Sequence, residues 1–383
     1  ATGIPLSLRQ WALDSWGEDL LACPRQGRIY TWDATNGTAT RAVLITASPS
    51  LNDYIIVSPE DRHLLSLGCN VSGGAYDPLM IRWCSQNNFN DWTASATNTA
   101  GSKRLSGTNK IVGAARSRGQ ILIWTDDSIY SCVFTGDPDS IFHFDLDGTG
   151  CGLMGPHAAV EGAGRTYWMG KSSFYLYDGS VKELECPVHS FIFDSLNTDQ
   201  ADKVHAGHNQ EFNEVIWFYQ TTSAGATEND RYVIYNYAEN VWSIGTLTRT
   251  AWMDSSTFPN PLGAANNNDL YYHEVSVEDD GAAMTAYIES ADLDIADGDD
   301  VAFVNKIVPD FDGSQTWSIQ LGTKRYPGDT YITKGPFVVS TGTTKISMRA
   351  RGRQAKVRIE SSVQGSDWRL GSLRFEIKPD GKR

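Results

Sequence analysis

The stretch Tyr167–Leu184, YWMGKSSFYLYDGSVKEL, shows the pattern on which the predicted fold rests. Apolar and aromatic residues alternate in it, and two turn signals, Gly170-Lys171-Ser172 and Asp178-Gly179, divide it into three predicted strands. Asp-Gly between such runs is a strong hairpin signal, and a type I′ turn there requires a positive φ at Gly179. Strands this short cannot bury a core alone. The stretch is therefore either a lone meander or one copy of a recurring unit.

The pattern of an aromatic strand followed by a polar turn does recur along the chain. The copies are GRIYTWDATNG (27–37), LMIRWCSQNNFNDW (79–92), DSIYSCVFTGDPD (127–139), FYLYDGS (174–180), RYVIYNYAENVWSIG (231–245) and DLYYHEVSVEDDG (269–281). Their spacing of roughly 40 to 60 residues is typical of propeller blades, each a small antiparallel sheet of about four strands. We therefore predict an all-β fold with an approximately six-bladed β-propeller. A pair of β-sandwiches is the alternative.

Two segments depart from this pattern. Residues 186–204 predict one or two short helices, with Val188, Phe191, Ile192 and Leu196 on one face. After about residue 285 the strands alternate with longer polar turns, which is typical of a β-sandwich-like module. The predicted domains are a propeller body at 1–283 and a C-terminal β module at 284–383. That module could also partly close the propeller or form a platform.

Charge and composition exclude several classes of protein. Residues 310–383 contain 14 Lys/Arg and 7 Asp/Glu, a net charge of 14 − 7 = +7, so the whole-chain charge of −14 leaves −21 on residues 1–309. An acidic body argues against a protein that coats nucleic acid, because phosphate affinity needs clustered cations. No apolar run approaches the roughly 20 residues that span a bilayer, so no membrane insertion is predicted. The six cysteines form no C-x-x-C pair and are predicted to be reduced.

Three clusters of histidine or aspartate residues are candidate metal sites. His205 and His208 could contribute to a metal site, Asp145 and Asp147 resemble the start of a calcium loop, and five aspartates lie within 292–300. Each has a simpler structural interpretation, as strand ends or solvated turns. The familiar motifs of nucleophilic, phosphate-binding and zinc-dependent catalysis are also missing from the sequence. We therefore predict that the protein is not an enzyme and has no catalytic, cofactor-binding or metal-binding residues.

The basic segment RARGRQAKVRIESS (349–362) is the one candidate interaction site. In an extended strand Arg349, Arg351 and Arg353 would share a face, and Arg358 follows them. Like charges in a row destabilise a strand unless acidic partners lie opposite. The segment is therefore either a solvated edge or an interface with the acidic body of a neighbouring subunit.

Taken together, the phrases of this chain resemble the tail nozzle family of short-tailed bacteriophages, also called tail tubular or DNA-stabilisation proteins. The resemblance lies in the order of NNFNDWTASATNTAGSKRLSG (87–107), ILIWTDDSIYSCVFTGDPDSIFHF (121–144), YWMGKSSFYLYDG (167–179), DRYVIYNYAENVWSIG (230–245) and the closing RGRQAKVRIESS (351–362) with WRLGSLRFEIKPDG (368–381). It implies a structural protein of the virion, in a ring that is commonly a homohexamer. Such rings lie below the head–tail connector, extend the DNA exit channel, and help to retain and eject the genome.

The resemblance also implies partners. These are connector or adaptor proteins, with tail fibres or a needle as further candidates, and double-stranded DNA that passes transiently through the lumen. We expect the lumen-facing surface to be net negative and the Arg349–Arg358 segment to lie away from it, at a protein–protein contact. The alternative function is a tail-associated propeller that binds or hydrolyses glycans on the host surface.

Overall fold

A computed structural model describes residues 8–107, 109–223, 225, 227–295 and 300–381. Strands account for 51% of the residues and helices for 4%, which places the chain in the all-β class. The chain divides into two compact units, Ala1–His273 and Glu274–Arg383. The boundary predicted at residue 283 thus lies inside the second unit.

The first unit contains six small antiparallel sheets, which follow one another in chain order along the described residues. Sheet 1 consists of β1 (Trp11–Trp16), β2 (Asp19–Pro24), β3 (Tyr30–Trp32) and β4 (Val43–Leu44). Sheet 2 consists of β5 (Asn52–Val57), β6 (Leu64–Asn70), β7 (Tyr76–Trp83) and β8 (Gly101–Arg104). Sheet 3 consists of β9 (Ile111–Ser117), β10 (Gln120–Thr125), β11 (Ser128–Asp137) and β12 (Ser140–Thr149).

The remaining three sheets of this unit have the same meander topology. Sheet 4 consists of β13 (Ala159–Gly162), β14 (Arg165–Met169), β15 (Phe174–Tyr177) and β16 (Val181–Leu184). Sheet 5 consists of β17 (His205–Asn209), β18 (Glu214–Tyr219), β19 (Arg231–Asn236) and β20 (Val241–Gly245). Sheet 6 has three strands, β21 (Ala251–Met253), β22 (Leu262–Ala264) and β23 (Leu270–Tyr272).

The repeated aromatic phrase has one structural meaning: it forms the third strand of every sheet, β3, β7, β11, β15, β19 and β23. The prediction of a propeller-like series of small sheets is confirmed. Within sheet 4 the opening stretch forms β14, β15 and β16, as predicted. The turn differs in detail, because Tyr177 pairs with Val181 across a three-residue loop, whereas a type I′ hairpin has two loop residues. Gly179 does have a positive φ, of 114°.

Adjacent sheets pack face to face through aromatic side chains. Trp124, Trp168 and Trp217, from the second strands of sheets 3, 4 and 5, are fully buried in one continuous core. The Trp124 and Trp168 rings meet edge to face, with centroids 5.4 Å apart. These side chains therefore have the packing role that strand alternation predicts, and they are not available to stack on a sugar.

Helical structure is confined to short connections. The α-helix α1 spans His189–Phe193, and 3₁₀ helices span Ala34–Asn36 and Thr198–Lys203. The prediction of two short helices at 186–204 is correct, but the predicted apolar face is only partly buried. Ile192 and Leu196 are buried, whereas Phe191 is exposed beneath the Arg231 guanidinium. Over the described ranges, no helix has the length and apolar character that crossing a bilayer would need.

The second unit is a β-sandwich, as predicted. Sheet 7 has the order β24 (Ala286–Glu289), β31 (Gln354–Ser361), β28 (Trp317–Lys324) and β29 (Ile332–Val339), with β25 (Leu293–Asp294) also paired to β31. Sheet 8 has the order β30 (Ile346–Gly352), β26 (Ala302–Val308) and β33 (Arg374–Pro379), and β27 (Phe311–Gly313) pairs separately with β32 (Trp368–Leu370). Residues of β30 and β31 alternate between buried and more exposed. The buried faces of sheets 7 and 8 share one core.

Candidate functional site

The four predicted interface arginines do not form one surface. Arg349 and Arg351 lie on the exposed face of β30, in sheet 8. Arg353 lies at the bend where the chain leaves sheet 8 for sheet 7, and Arg358 belongs to β31 of sheet 7. The prediction that Arg349, Arg351 and Arg353 share a face is therefore wrong, because the alternation rule holds only within one continuous strand.

Two of these arginines have acidic partners within their own unit. Arg351 forms a salt bridge with Asp380, with 2.5 Å between its Nε and the carboxylate. Arg358 contacts the carboxylates of Glu289 and Glu360, and its guanidinium lies 4.0 Å from the Tyr287 ring centroid. The acidic partners that like charges require are thus supplied by the same chain.

Arg349 differs, because its guanidinium has no ion pair or hydrogen bond with any residue that the structure describes. It is one of five cations on the exposed face of sheet 8, which also carries two acidic groups, Glu376 and the adjoining Asp380. The five are Lys306, Arg349, Arg351, Arg374 and Lys378. The face has a net charge of 5 − 2 = +3. We call this set of seven residues the cationic face.

A second network covers the opposite side of the sandwich. Asp292 receives hydrogen bonds from Lys324 and from the Tyr331 hydroxyl, both at 2.6 Å, which lower the pKa of its carboxyl. A hydrogen bond from Lys356 similarly lowers the pKa of Glu289. Lys324 is buried in its pair with Asp292, whereas Lys356 and Glu289 are only partly exposed. Together these pairs neutralise much of the basic tail.

The distribution of charge between the units is therefore milder than the sequence suggested. Residues 274–383 contain 15 Lys/Arg and 17 Asp/Glu, a net of −2, which leaves −14 + 2 = −12 on residues 1–273. The charge count from the sequence divided the chain at residue 310. That division separated the basic tail from acidic residues that belong to the same folded unit. The first unit remains the acidic part of the protein.

The histidine pair does not form a metal site in the part of the chain that the structure describes. His205 and His208 lie three positions apart in β17, so their side chains leave opposite faces of the strand. His208 contacts the Asp254 carboxylate at 3.1 Å and the Tyr237 hydroxyl at 3.1 Å. No group of three or more potential ligands occurs among the described residues.

The two acidic clusters also have structural surroundings. Asp145 and Asp147 lie within β12, and Asp145 contacts the exposed His143. The turn begins only after them, at Gly150. In the third cluster Asp292 is engaged by Lys324, and Asp297 and Asp299 lie outside the described residues.

The structure reveals a triad that the sequence did not suggest. Asp61 contacts Nδ1 of His63, and Nε2 of His63 lies 2.9 Å from the Thr99 hydroxyl. Ser58 also donates to Asp61, and the backbone N–H of Gln86 donates to the Thr99 hydroxyl. Residues 63 and 99 are 36 positions apart in the sequence, so no local motif could indicate their contact. The order carboxylate, imidazole, hydroxyl is that of a nucleophilic triad.

The carboxylate and the imidazole of this triad lie in the core. His63 and Asp61 are almost completely buried, and the His63 ring packs edge to face on Phe142. The cavity beside Asp61 has a volume of about 10 Å³, room for one water molecule at most. Thr99 itself is only partly buried, and its hydroxyl is engaged by both His63 and the Gln86 N–H. The triad ties the long connection between β7 and β8 to the turn between β5 and β6.

The middle of the first unit is occupied by side chains. The Tyr54 ring of sheet 2 lies 6.1 Å from the His157 ring, which precedes sheet 4, and the His157 ring lies 5.7 Å from that of His205 in sheet 5. Arg25 of sheet 1 forms a 2.7 Å salt bridge with Asp202, just before sheet 5. The Tyr54–His157 and Arg25–Asp202 contacts join sheets that are not neighbours in the series, so they cross the middle. A DNA duplex, whose major groove alone is about 12 Å wide, cannot pass there.

Burial perturbs the ionisation of these central groups. It lowers the pKa of His205 to about 4, and the neighbouring His157 opposes a second positive charge. Burial also lowers the pKa of His157 and raises that of Tyr54 to about 12. All three side chains are therefore neutral at pH 7. Nε2 of His205 has no hydrogen-bond partner among the described residues.

One larger cavity lies on the surface between sheets 3 and 4. It has a volume of about 360 Å³ and is lined by polar groups that include Asn109, Asp126, Asp127 and Lys171. Lys171 lies 3.8 Å from the Asp126 carboxylate. No aromatic side chain lines this cavity among the described residues, so it lacks the flat platform on which sugars stack.

Comparison with known proteins adds only distant structural neighbours. No protein-family model matches the chain, and no curated protein matches its sequence. The computationally designed Ika8 protein is 13% identical, with a TM-score of 0.43 over 68% of this chain and 70% of its own. The CNH domain of AfRom2 is 12% identical, with a TM-score of 0.40 over 69% and 84%. A functionally unknown protein from Desulfotomaculum acetoxidans is 9% identical, with a TM-score of 0.41 over 69% and 82%.

Proposed function

We propose that this chain is a structural subunit of a bacteriophage tail, in a nozzle ring that extends the DNA exit channel below the head–tail connector. The observation that carries the proposal is the filled middle of the six-sheet unit, where Tyr54, His157 and His205 meet. Together with the burial of Asp61 and His63, it favours a protein that acts through its outer surfaces. The resemblance in the order of the aromatic phrases supplies the particular role.

In this proposal the lumen lies between copies of the chain. The first unit, with a net charge of −12, supplies a wall that repels DNA weakly and is screened within about 10 Å at moderate salt. A cationic wall would hold the duplex through many counterion-releasing contacts, which opposes ejection. The cationic face of sheet 8 then lies away from the lumen, against an acidic surface of a connector or adaptor protein. Arg349 is its principal contact, because Arg351 is already paired with Asp380.

Electron microscopy of the purified full chain tests this proposal. We expect class averages of a closed ring, with a sixfold view down its axis and a lumen wide enough for duplex DNA. Addition of the connector proteins of a short-tailed phage should stack the ring beneath them. A chain that stays monomeric at every concentration, with and without connector, contradicts the proposed function.

The polar cavity at Asp126 and Asp127 favours a second candidate function, a tail propeller that binds or hydrolyses host glycans. Two carboxylates are what glycoside hydrolysis uses. Incubation with host envelope polysaccharide, followed by an assay for new reducing ends, separates the candidates. Sustained turnover that is lost in Asp127→Asn establishes the hydrolase. Cell binding without turnover establishes an adhesin.

A further inference from the structure

The two terminal sheets of the first unit differ from the four between them. In sheets 2 to 5 the second strands, β6, β10, β14 and β18, are buried almost throughout, as expected when both faces of a sheet are covered. In sheets 1 and 6 the second strands, β2 and β22, are buried only at alternate positions. Each terminal sheet therefore has one face packed on its neighbouring sheet and one face exposed.

The open face of sheet 1 is apolar. Its cross-strand rows are Leu13, Ala22, Tyr30 and Leu44, then Ser15, Leu20 and Trp32, then Trp11 and Pro24. Trp11 is 52% exposed and Leu13 is 59% exposed. The opposite face packs on sheet 2 through Ala12, Trp16 and Leu21. We call the rows that include Trp11 and Leu13 the sheet 1 face.

The open face of sheet 6 is apolar in the same way. Its cross-strand rows are Ala251, Ala264 and Leu270, then Met253, Leu262 and Tyr272. Leu270 is 67% exposed and Tyr272 is 53% exposed. The opposite face packs on sheet 5, where the Trp252 ring lies 5.8 Å from that of Phe218. We call the rows that include Leu270 and Tyr272 the sheet 6 face.

We infer that the sheet 1 face of one copy packs on the sheet 6 face of a second copy, so that sheet-on-sheet packing continues from chain to chain. This inference rests on the proposed ring, and it names the contact that builds the ring. A head-to-tail ring needs two different surfaces on every subunit, one for each neighbour. The first unit offers two, and contiguous exposed apolar surfaces of this kind mark interaction sites. Within the described residues nothing covers either face, so each can accept a neighbour.

Charge complementarity supports a second copy as the occupant. In this contact β1 of one copy would lie beside β21 of the neighbour, and the two strands would run in the same direction. The first strands of successive sheets within one unit lie side by side in the same way. Arg9 and Arg28 are exposed at the end of sheet 1 where β1 begins. Asp269 is exposed at the end of sheet 6 where β21 begins. At that end of the apolar rows the contact therefore sets arginines opposite an aspartate.

Paired variants of the full chain test this contact. Leu13→Glu disables the sheet 1 face, and Leu270→Glu disables the sheet 6 face; both side chains are exposed, so the monomer should fold normally. Each variant alone should associate on the order of 100-fold more weakly than wild type, because the contact would bury an unpaired carboxylate. The matched control is Leu146→Glu, at an exposed leucine on β12, which should assemble like wild type.

Mixing the two variants gives the decisive result. The Leu13→Glu copy retains an intact sheet 6 face and the Leu270→Glu copy an intact sheet 1 face, so the mixture should form 1:1 heterodimers and nothing larger. Sedimentation velocity measures this directly. If both variants still form wild-type rings, the contact lies elsewhere and the inference fails while the proposed ring stands. If wild type is monomeric and each variant lowers its melting temperature, the faces close within one chain and the inference fails. Heterodimers from a protein that never binds phage connectors would uphold the contact and refute the proposed function.

Discussion

Acidification should destabilise the first unit through His205. Burial holds the pKa of this ring at about 4, against 6.5 for a solvated histidine, so the unfolded chain binds a proton at a pH where the folded chain does not. The contribution to stability is complete above pH 6.5 and is lost as the pH falls from there toward 4. At pH 5 the unfolded ring is almost fully protonated and the folded ring about one-tenth protonated. The loss relative to pH 8 is then about 2 kcal/mol, at about 1.4 kcal/mol for each pKa unit.

Chemical denaturation at pH 8, 6 and 5 measures this loss. Tryptophan fluorescence reports mainly on the first unit, which contains ten of the twelve tryptophans. The variant His205→Gln cannot titrate, so its stability should fall by about 2 kcal/mol less than that of wild type between pH 8 and pH 5. His143→Gln, at an exposed histidine, is the control and should behave like wild type. Identical pH profiles for His205→Gln and wild type would refute the reasoning, because a ring that is equally protonated in both states contributes no slope.

Four further predictions concern single residues. Gly179→Val should lower the stability of the first unit by roughly 1–3 kcal/mol, since φ is 114° there; an unchanged melting temperature would show that the loop tolerates a β-branched residue. Thr99→Val should destabilise by about 1–3 kcal/mol, because it leaves His63 without its hydroxyl partner, and should have no effect on any hydrolytic activity, measured by denaturation and by the polysaccharide assay. Arg349→Glu should weaken attachment to connector proteins while the free energy of unfolding stays within about 0.5 kcal/mol of wild type, and equal attachment in a pull-down at low salt would contradict the contact. The reversal Arg351→Glu should destabilise the sandwich by less than about 1 kcal/mol, because its pair with Asp380 is half exposed.

The six sheets could be predicted because one of their strands carries a strong local signal. The third strand of each sheet is aromatic and ends in a polar turn, and both features are visible within about ten residues, as in RYVIYNYAEN at 231–240. Pattern recognition needs only such short windows. The outward faces of sheets 1 and 6 could not be predicted in this way. Trp11 and Leu13 have the same residue types as buried strand positions, and only the absence of a covering sheet among the described residues exposes them.

The shared arginine face and the charge division at residue 310 were wrong for related reasons. Arg349 lies within β30 but Arg353 lies at the bend after it, and the sequence does not show that the chain changes sheets there. The acidic residues that neutralise the basic tail, such as Glu289 and Asp292, come from β24 and the segment just after it, and they reach β31 and β28 only through the sandwich topology. Charge counted along the chain is therefore a poor guide to charge on a surface when strands distant in sequence pair side by side.

A closed middle and open ends have the same physical origin. The sheets of the first unit bury their faces against one another, and the contacts of His157 with Tyr54 and His205 fill the space where the first strands converge. Packing of this kind buries both faces of every sheet except the first and the last. The outward faces of those two sheets leave Trp11 and Leu270 exposed to water. Burying those faces against further copies removes the exposed apolar area, and a ring does so for every subunit at once. A chain that cannot hold a duplex inside itself can then enclose one between its copies, with its acidic unit available to form the wall.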